Sequence, residues 1–399
     1  MKESNYRTYL IKGGLFLLTI VTTTLSGAEL ITGHSVLMGT MGWAEFAKGV
    51  QYSFPFLLFL TVHEFGHYFM AMHYKVKVSL PSYIPMWLGF FSIGTMGAFI
   101  HIKSLIKSKK EHFDIGIAGP LAGFVIAIFV LFYGFTHLPD PSYVFEIHPE
   151  FESFGPDYAK QVYSMDTVLY KKDFASTERY NYLISADSVS YSTELPSIKV
   201  GKSLLFLFFE NYVAADKRKI PNAYEMMHYP WLFAGFLALL FTGLNLLPIG
   251  QLDGGHVLYG LFGHKWHKRI SEVAFVSFVF YAGLGAVSPY QQVNDLMMWG
   301  GLYVGFLYLV FQGLKRSKIQ TLIFALTIFV IQLVIGIFFP NIEGYRGWLL
   351  FAFLIGKFLG VYHPIAMDES PLDLKRKILG WLALIIFIIS FSPQPLLVG

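Results

Sequence analysis

Long runs of apolar residues alternate with shorter polar connections along most of the chain. Each run is close to the roughly 20 residues that a helix needs to cross the hydrocarbon core of a bilayer. The pattern therefore predicts an all-α polytopic membrane protein with about nine transmembrane helices. The predicted spans cover residues 9–31, 49–73, 113–136, 229–250, 271–289, 296–314, 319–339, 347–362 and 376–394.

Two segments interrupt this pattern. Residues 137–228 are polar and carry charges of both signs, which predicts one extramembrane insert. Its size would suit a peptide-binding PDZ module, but no glycine-flanked carboxylate-binding loop is recognisable in it. Residues 79–101 are apolar yet contain prolines and glycines that disfavour a spanning helix. We expect them to form a re-entrant, β-like loop buried against protein, where its backbone groups stay hydrogen-bonded.

These features divide the chain into five segments. Residues 1–48 hold an N-terminal transmembrane helix and an outer loop, and residues 49–136 hold the first half of a core. The insert follows at 137–228, the second half of the core at 229–290, and additional C-terminal transmembrane helices at 291–399. The first span could instead be a cleaved signal peptide, since basic residues precede it and Ser26-Gly27-Ala28 resembles a processing site.

The basic residues lie in alternate connections between the predicted spans. They concentrate in residues 2–12, 75–110, 265–269, 315–318 and 375–377. Lysine and arginine are enriched in cytoplasmic loops. The alternation thus predicts a cytoplasmic amino terminus and, with nine spans, an outer carboxyl terminus. No Arg- and Ser-rich transit segment is recognisable, which favours a bacterial cytoplasmic membrane over a chloroplast membrane.

Composition agrees with this membrane assignment. Hydrophobic residues make up 54% of the chain and charged residues 14%, whereas soluble domains carry about 25% charged residues. This composition predicts that the lipid bilayer surrounds the chain. The net charge of +4 is too small to indicate a nucleic-acid partner. Cysteine is absent, which excludes disulfides, thiolate metal ligands and a cysteine nucleophile. The sequence does not indicate an oligomeric state.

The stretch HEFGH at residues 63–67 puts three titratable groups inside the second apolar run. Such groups are costly in a bilayer and mark functional sites. On a helix, His63 and His67 lie one turn apart on the same face, so both imidazoles can bind one zinc ion. Glu64 beside them could take a proton from the water that the metal activates. The alternative is a pair of buried histidines hydrogen-bonded within a helix bundle.

A zinc enzyme needs a third protein ligand. His73 has the spacing seen in metzincin proteases, but the glycine that turns the chain there is replaced by Met70. On a continuous helix His73 points away from His63, so we reject it. Asp253 is the better candidate, because Pro248 and Gly250 break the helix before it and let its carboxylate turn inward. A helix end with this carboxylate solvated in a cytoplasmic loop is the alternative.

These residues resemble the site-2 protease family of intramembrane zinc metalloproteases. That family carries HExxH on one transmembrane helix and NxxPxxxxDG on another, which here are residues 63–67 and 245–254. GIAGPLAG at 116–123 and GTMGAFIHIKS at 94–104 resemble two further elements of the family. The residues of these motifs are most similar to those of the branch with plant chloroplast members. The resemblance covers about 49–136 and 229–290, with the motifs in the same order as in the family.

The resemblance implies a zinc metalloendopeptidase that hydrolyses peptide bonds within or near the transmembrane segments of membrane-protein substrates. It implies one Zn²⁺ per chain, bound by His63, His67 and Asp253, with Glu64 as general base and then acid. Asn245 would lie beside the substrate, although a polar helix–helix contact is the alternative role. A zinc transporter and a catalytically inactive, substrate-binding relative are the competing functions.

The glycines of the two further elements have separate expected roles. Gly94 and Gly97 let the loop lie extended, so that its backbone could pair with an unwound substrate by β-addition. The alternative is a plug that only excludes lipid. Gly119 and Gly123 are four residues apart on a predicted helix, and we expect them to allow close helix packing.

Overall fold

The computed structural model of the protein describes residues 2–89, 92–160, 162–163 and 198–398. The predicted insert at 137–228 therefore lies partly outside the described residues. Helices dominate the described chain. They are α1 (Lys2–Thr32), α2 (Trp43–Lys48), α3 (Val50–His73), α4 (Lys109–Thr136), α5 (Tyr143–Ile147), α6 (Leu204–Phe208), α7 (Pro230–Asn245), α8 (Asp253–Ala282), α9 (Val293–Phe311), α10 (Lys318–Phe338), α11 (Gly347–Leu354) and α12 (Leu374–Ser390). The strands are β1 (Ser82–Pro85), β2 (Thr95–Phe99), β3 (Ile198–Val200) and β4 (Leu396–Val398).

Shorter helical turns extend or connect these elements. Wider turns continue α6 through Phe209–Val213 and α11 through Ile355–Leu359. Tight 3₁₀ turns occupy Pro149–Asp157, Lys217–Lys219, Met226–His228 and Gln312–Leu314.

Within the described residues, four helices are long and apolar enough to cross a membrane: Arg7–Thr32, Lys109–Thr136, Val293–Leu314 and Lys318–Phe338. This confirms a helical membrane protein. Each of the other predicted spans overlaps a helix that is shorter or less apolar. Helix α3 has 24 residues, enough to span, but the polar groups of HEFGH lower its apolarity.

Helices α3, α4, α7 and α8 pack together, with α4 contacting the other three. Small residues allow α3 and α4 to approach closely. A Cβ atom built on Gly66 of α3 would lie 2.6 Å from the carbonyl oxygen of Ala118 in α4, which leaves no room for a side chain. The helices that carry the motifs at 63–67 and 116–123 are therefore in backbone contact.

The loop at 79–101 contains an antiparallel hairpin of β1 and β2, in which Ser82 pairs with Phe99 and Tyr83 with Ala98. The hairpin packs against α1 and reaches α3 through β2. Gly94 and Gly97 adopt φ values of +85° and +108°, which favour glycine over any L side chain. The predicted β-like character of the loop is thus present, with β2 as an edge strand of a two-stranded sheet.

Candidate functional site

Helix α3 places the two histidines of HEFGH on one buried face. The Nε2 atoms of His63 and His67 lie 3.1 Å apart. Their exposed fractions are 3% and 7%, so neither imidazole has free access to solvent. The i and i+4 spacing of a helix accounts for this approach, since it stacks side chains one turn apart.

Asp253 reaches the same point from another helix. It is the first residue of α8, directly after a turn in which Gly250 has a φ of +61°. The turn is folded so tightly that a Cβ on Gly254 would lie 2.0 Å from the carbonyl oxygen of Leu246. The Oδ2 atom of Asp253 lies 3.5 Å from the Nε2 atom of His63 and 3.3 Å from that of His67.

The three ligand atoms fit zinc. Ligands of a tetrahedral zinc at about 2.0–2.2 Å are separated from one another by about 3.3–3.6 Å, close to the distances between these atoms. The Nδ1–H group of His67 donates to the carbonyl oxygen of Ile115 at 2.7 Å. That hydrogen bond fixes the tautomer, so the Nε2 lone pair of His67 points at the other two ligand atoms. A cation placed between these three ligand atoms would satisfy them together.

Glu64 lies beside these ligands on α3 and is 7% exposed. The backbone N–H of Ile100, directly after β2, approaches its carboxylate. The hairpin therefore ends next to the acidic side chain, and the carboxylate stays outside the triangle of ligand atoms. This placement suits a group that moves protons and does not bind the metal.

Asn245 is the last residue of α7, and its Nδ2 atom lies 3.3 Å from the Nε2 atom of His63. The structure therefore brings Asn245 to the metal ligands themselves, closer than a residue that contacts only substrate would need to be. His73 lies exposed at the end of α3, away from the group of His63, His67 and Asp253.

The two loop glycines are placed differently. A Cβ on Gly97 would lie 3.7 Å from the ring of Phe241, one turn before the end of α7, so β2 passes alongside that helix. Gly94 instead lies against α1, where a Cβ would come within 2.3 Å of the Cα atom of Thr23. The carbonyl oxygen of Gly94 accepts a hydrogen bond from the hydroxyl of Thr22 at 2.7 Å. Only Gly97 is brought towards the site.

The sequence profile of peptidase family M50 matches residues 51–287, which include His63, Glu64, His67, Asn245 and Asp253. The chain belongs to peptidase family M50. The resemblance to the site-2 proteases is thereby confirmed. Zinc is the cofactor expected for an M50 peptidase, in agreement with the ligand geometry.

Three curated relatives of this M50 chain come from plants. It is 29% identical over 201 residues to "Probable zinc metalloprotease EGY1, chloroplastic" of Oryza sativa subsp. japonica, covering 50% of this chain and 26% of the relative. It is 24% identical over 291 residues to "Probable zinc metalloprotease EGY2, chloroplastic" of Oryza sativa subsp. indica, covering 69% of this chain and 43% of the relative. Its identity to EGY1 of Arabidopsis thaliana is 26% over 204 residues, covering 51% of this chain and 28% of the relative.

The M50 chain thus spans less than half the length of these relatives. Their names confirm the similarity to the branch with plant chloroplast members. No solved structure gives a significant match to the chain.

Gly119 of the M50 core has a role that the sequence did not reveal. A Cβ on Gly119 would lie 2.1 Å from the Nε2 atom of His67, the atom that faces the metal position. Gly123, one turn later, would put a Cβ 3.1 Å from the Cβ atom of His63. Both glycines therefore leave space for the imidazoles of His67 and His63, in addition to allowing close helix packing.

We expect Gly119→Ala to weaken zinc binding by at least about 10-fold, because the new methyl group displaces the His67 imidazole, whose orientation is otherwise fixed by a hydrogen bond. Zinc titration of the purified variant against a chelating dye measures this loss. Gly305→Ala is the matched control, since that glycine also lies in a helix and has nothing within 4 Å of its Cβ position. Equal zinc affinity in the two variants would contradict the assigned role of Gly119.

Sequence reasoning also missed a second group of histidines next to the site. His112 of α4, His256 of α8 and His363, which follows α11, have ligand atoms within 4.8 Å of one another. The Nδ1 atom of His256 lies 2.7 Å from the Nε2 atom of His363, the distance of a direct hydrogen bond. The only signal in the sequence was His256, three residues after Asp253. Its partners His112 and His363 lie too far away along the chain to be recognised from spacing.

Proposed function

We propose that the protein is a membrane-embedded zinc metalloendopeptidase that cleaves peptide bonds within or near the transmembrane segments of other membrane proteins. The observation that carries the proposal is the convergence of His63, His67 and Asp253 beside the carboxylate of Glu64. Two nitrogen ligands and one oxygen ligand leave a fourth position open for water, as hydrolytic zinc sites do. Family membership supports the same reaction class.

The side chains around this position have distinct roles in the proposed reaction. A bound zinc ion would supply Lewis acidity, lowering the pKa of its water and polarising the substrate carbonyl. Glu64 would accept the proton of the attacking water and then deliver it to the departing amine. Asn245, whose Nδ2 atom lies 3.3 Å from the Nε2 atom of His63, would orient the substrate carbonyl beside the metal position.

The hairpin supports a way of binding an unwound substrate. A membrane helix hides its peptide bonds in internal hydrogen bonds, so part of it must unwind, and each freed backbone group then needs a partner. Strand β2 pairs with β1 on one side, passes Phe241 at Gly97 and ends beside Glu64. We propose that the substrate lies extended along β2 by β-addition, which would present its peptide bond to the general base. The backbone of Gly94, engaged with α1, would support the strand.

The membrane topology is part of the same proposal. Nine spans and a cytoplasmic amino terminus follow from the apolar runs and the alternating basic loops. A re-entrant position for the hairpin follows from its prolines and glycines. The division into core halves at 49–136 and 229–290 also follows from the sequence. Helices α3 and α4 of the first half pack against α7 and α8 of the second half, which supports the assignment of both halves to one core.

Cleavage and transport can be separated in one preparation. The full chain is reconstituted into liposomes with a model single-span substrate and with a zinc-sensitive dye inside. We expect cleavage fragments to accumulate and the rate of zinc entry to match that of protein-free liposomes. A transport pathway needs polar ligands along the spans, and among the described residues beyond α8 only His363 belongs to a potential metal-binding group. Zinc entry that scales with protein, without fragments, would identify a transporter.

A further inference from the structure

A third group of metal-ligating side chains lies at the opposite end of α7 from the catalytic centre. It consists of His148, between α5 and the following 3₁₀ turn, and of Glu225 and His228, just before α7 begins. Helix α7 has 16 residues, so about 24 Å separates its two ends. We refer to His148, Glu225 and His228 as the distal triad.

The ligand atoms of the distal triad form a nearly equilateral triangle. The Nε2 atoms of His148 and His228 lie 3.3 Å apart. The Oε2 atom of Glu225 lies 3.7 Å from the first of them and 3.6 Å from the second. Three ligands of a tetrahedral zinc ion are separated by about 3.3–3.6 Å. The distal triad matches this spacing about as well as the catalytic ligands do.

Hydrogen bonds on the far side of each imidazole fix which nitrogen faces the triangle. The Nδ1–H group of His228 donates to the carbonyl oxygen of Leu30, at the end of α1. The Nδ1 atom of His148 lies 3.2 Å from the Oε1 atom of Glu150, so it donates to that carboxylate. Both Nε2 atoms therefore present lone pairs to the triangle, the arrangement found for histidines that bind metal ions.

Glu225 contributes a carboxylate oxygen as the third ligand atom. Its Oε1 atom accepts a hydrogen bond from the hydroxyl of Tyr163, whereas its Oε2 atom is buried without a hydrogen-bond partner among the described residues. Glu225 is 1% exposed, so water does not compensate this carboxylate. A buried carboxylate without a counter-ion is strongly destabilising, and a cation in the triangle would remove that cost.

We propose that the distal triad binds a zinc ion that is separate from the catalytic one. Two imidazoles and a carboxylate form a ligand set for Zn²⁺, and His148, with 30% of its side chain exposed, gives the ion a route from solvent. The histidine group at His112 is a weaker candidate, because a direct hydrogen bond of 2.7 Å between His256 and His363 already satisfies two of its ligand atoms.

The position of the distal triad indicates a structural function. His148 belongs to the segment after α4, His228 lies two residues before α7 begins, and Leu30 lies in the last turn of α1. A metal ion held there would join three parts of the chain that are far apart in sequence. Because the free energy of metal binding is added to the folding free energy, the ion would hold the start of α7 in place.

Zinc counting in the full-length chain tests the proposal. By inductively coupled plasma mass spectrometry we expect about two zinc ions per wild-type chain and about one after His148→Gln or Glu225→Gln. Asp253→Ala should also leave about one ion, and its combination with His148→Gln should leave none. His137→Gln is the matched control, since His137 is exposed at the end of α4 and should not change the count.

A second measurement detects the site without counting zinc. Cobalt added to metal-free Asp253→Ala protein should give the intense visible absorption of a tetrahedral ion, and His148→Gln should abolish it. Glu150→Gln should weaken binding by about 10- to 100-fold, since Glu150 orients His148. His148 is partly exposed, so its variant tests the site even if the buried Glu225 variant does not fold.

Two results would overturn the proposal. One is a wild-type chain that holds only the ion removed by Asp253→Ala. The other is an unchanged zinc content and cobalt spectrum in folded His148→Gln protein. Either would show that no metal ion bridges the distal triad.

Discussion

Replacing Glu64 by glutamine is expected to reduce peptide-bond hydrolysis by roughly 10²–10⁴-fold while the zinc content stays at the wild-type level. Glutamine has nearly the same shape but cannot take a proton from water, and the Glu64 carboxylate lies outside the triangle of His63, His67 and Asp253. Cleavage of a model transmembrane substrate and metal analysis on the same sample measure the two quantities.

Glu111→Gln provides the control for this substitution. Glu111 lies in the first turn of α4 and forms a capping box with Ser108, a role that glutamine also fills. We expect wild-type cleavage from that variant. Wild-type cleavage from Glu64→Gln, in contrast, would remove Glu64 from the reaction and favour a binding or transport role for the zinc site.

Removing a ligand of the catalytic site should have an equally large effect on metal binding. We expect Asp253→Ala to weaken zinc binding by more than about 100-fold, since residues that only orient a ligand already contribute 10- to 100-fold. The carboxylate oxygen of Asp253 lies within 3.5 Å of both imidazoles, so its loss leaves two ligands. Competition with a chelating dye measures the affinity, and cleavage should be lost in parallel.

The control for Asp253→Ala is His73→Ala. His73 is exposed at the end of α3, and we expect its removal to leave zinc affinity and cleavage unchanged. If the Asp253 variant retained its catalytic zinc and the His73 variant lost it, the metzincin-like ligand set rejected from the sequence would be the correct one.

The proximity of His63, His67 and Asp253 was predictable because the signals are local. The spacing of His63 and His67 follows from the helical repeat, and the break at Pro248 and Gly250 predicted that Asp253 would turn inward. The structure brings these side chains together. The hairpin at 79–101 was also indicated by its own prolines and glycines.

Other features depend on which residues lie opposite each other across the bundle. From the sequence, Gly119 predicts only close helix packing, as a glycine in any membrane helix would. The structure adds that the imidazole of His67 occupies the space that a side chain at position 119 would fill. The distal triad joins His148 to residues about 80 positions later, without a spacing pattern that a sequence can reveal. Polar groups at functional positions also lower the mean hydropathy of the helices that carry them. Length and hydropathy therefore identify only four membrane-spanning helices among the described residues, and the number of nine spans stays a prediction.

The glycines of α4 imply a trade between thermodynamic stability and activity. Gly116, Gly119 and Gly123 each give up about 1 kcal/mol of helix propensity relative to alanine. At an ordinary helix position such a glycine is a good target for a stabilising substitution, but here each would place a methyl group against His256, His67 or His63. Thermostabilised variants of this protein should therefore be sought at open positions such as Gly301 and Gly305, whereas at Gly119 and Gly123 we expect the gain in helix propensity to be accompanied by a loss of zinc binding.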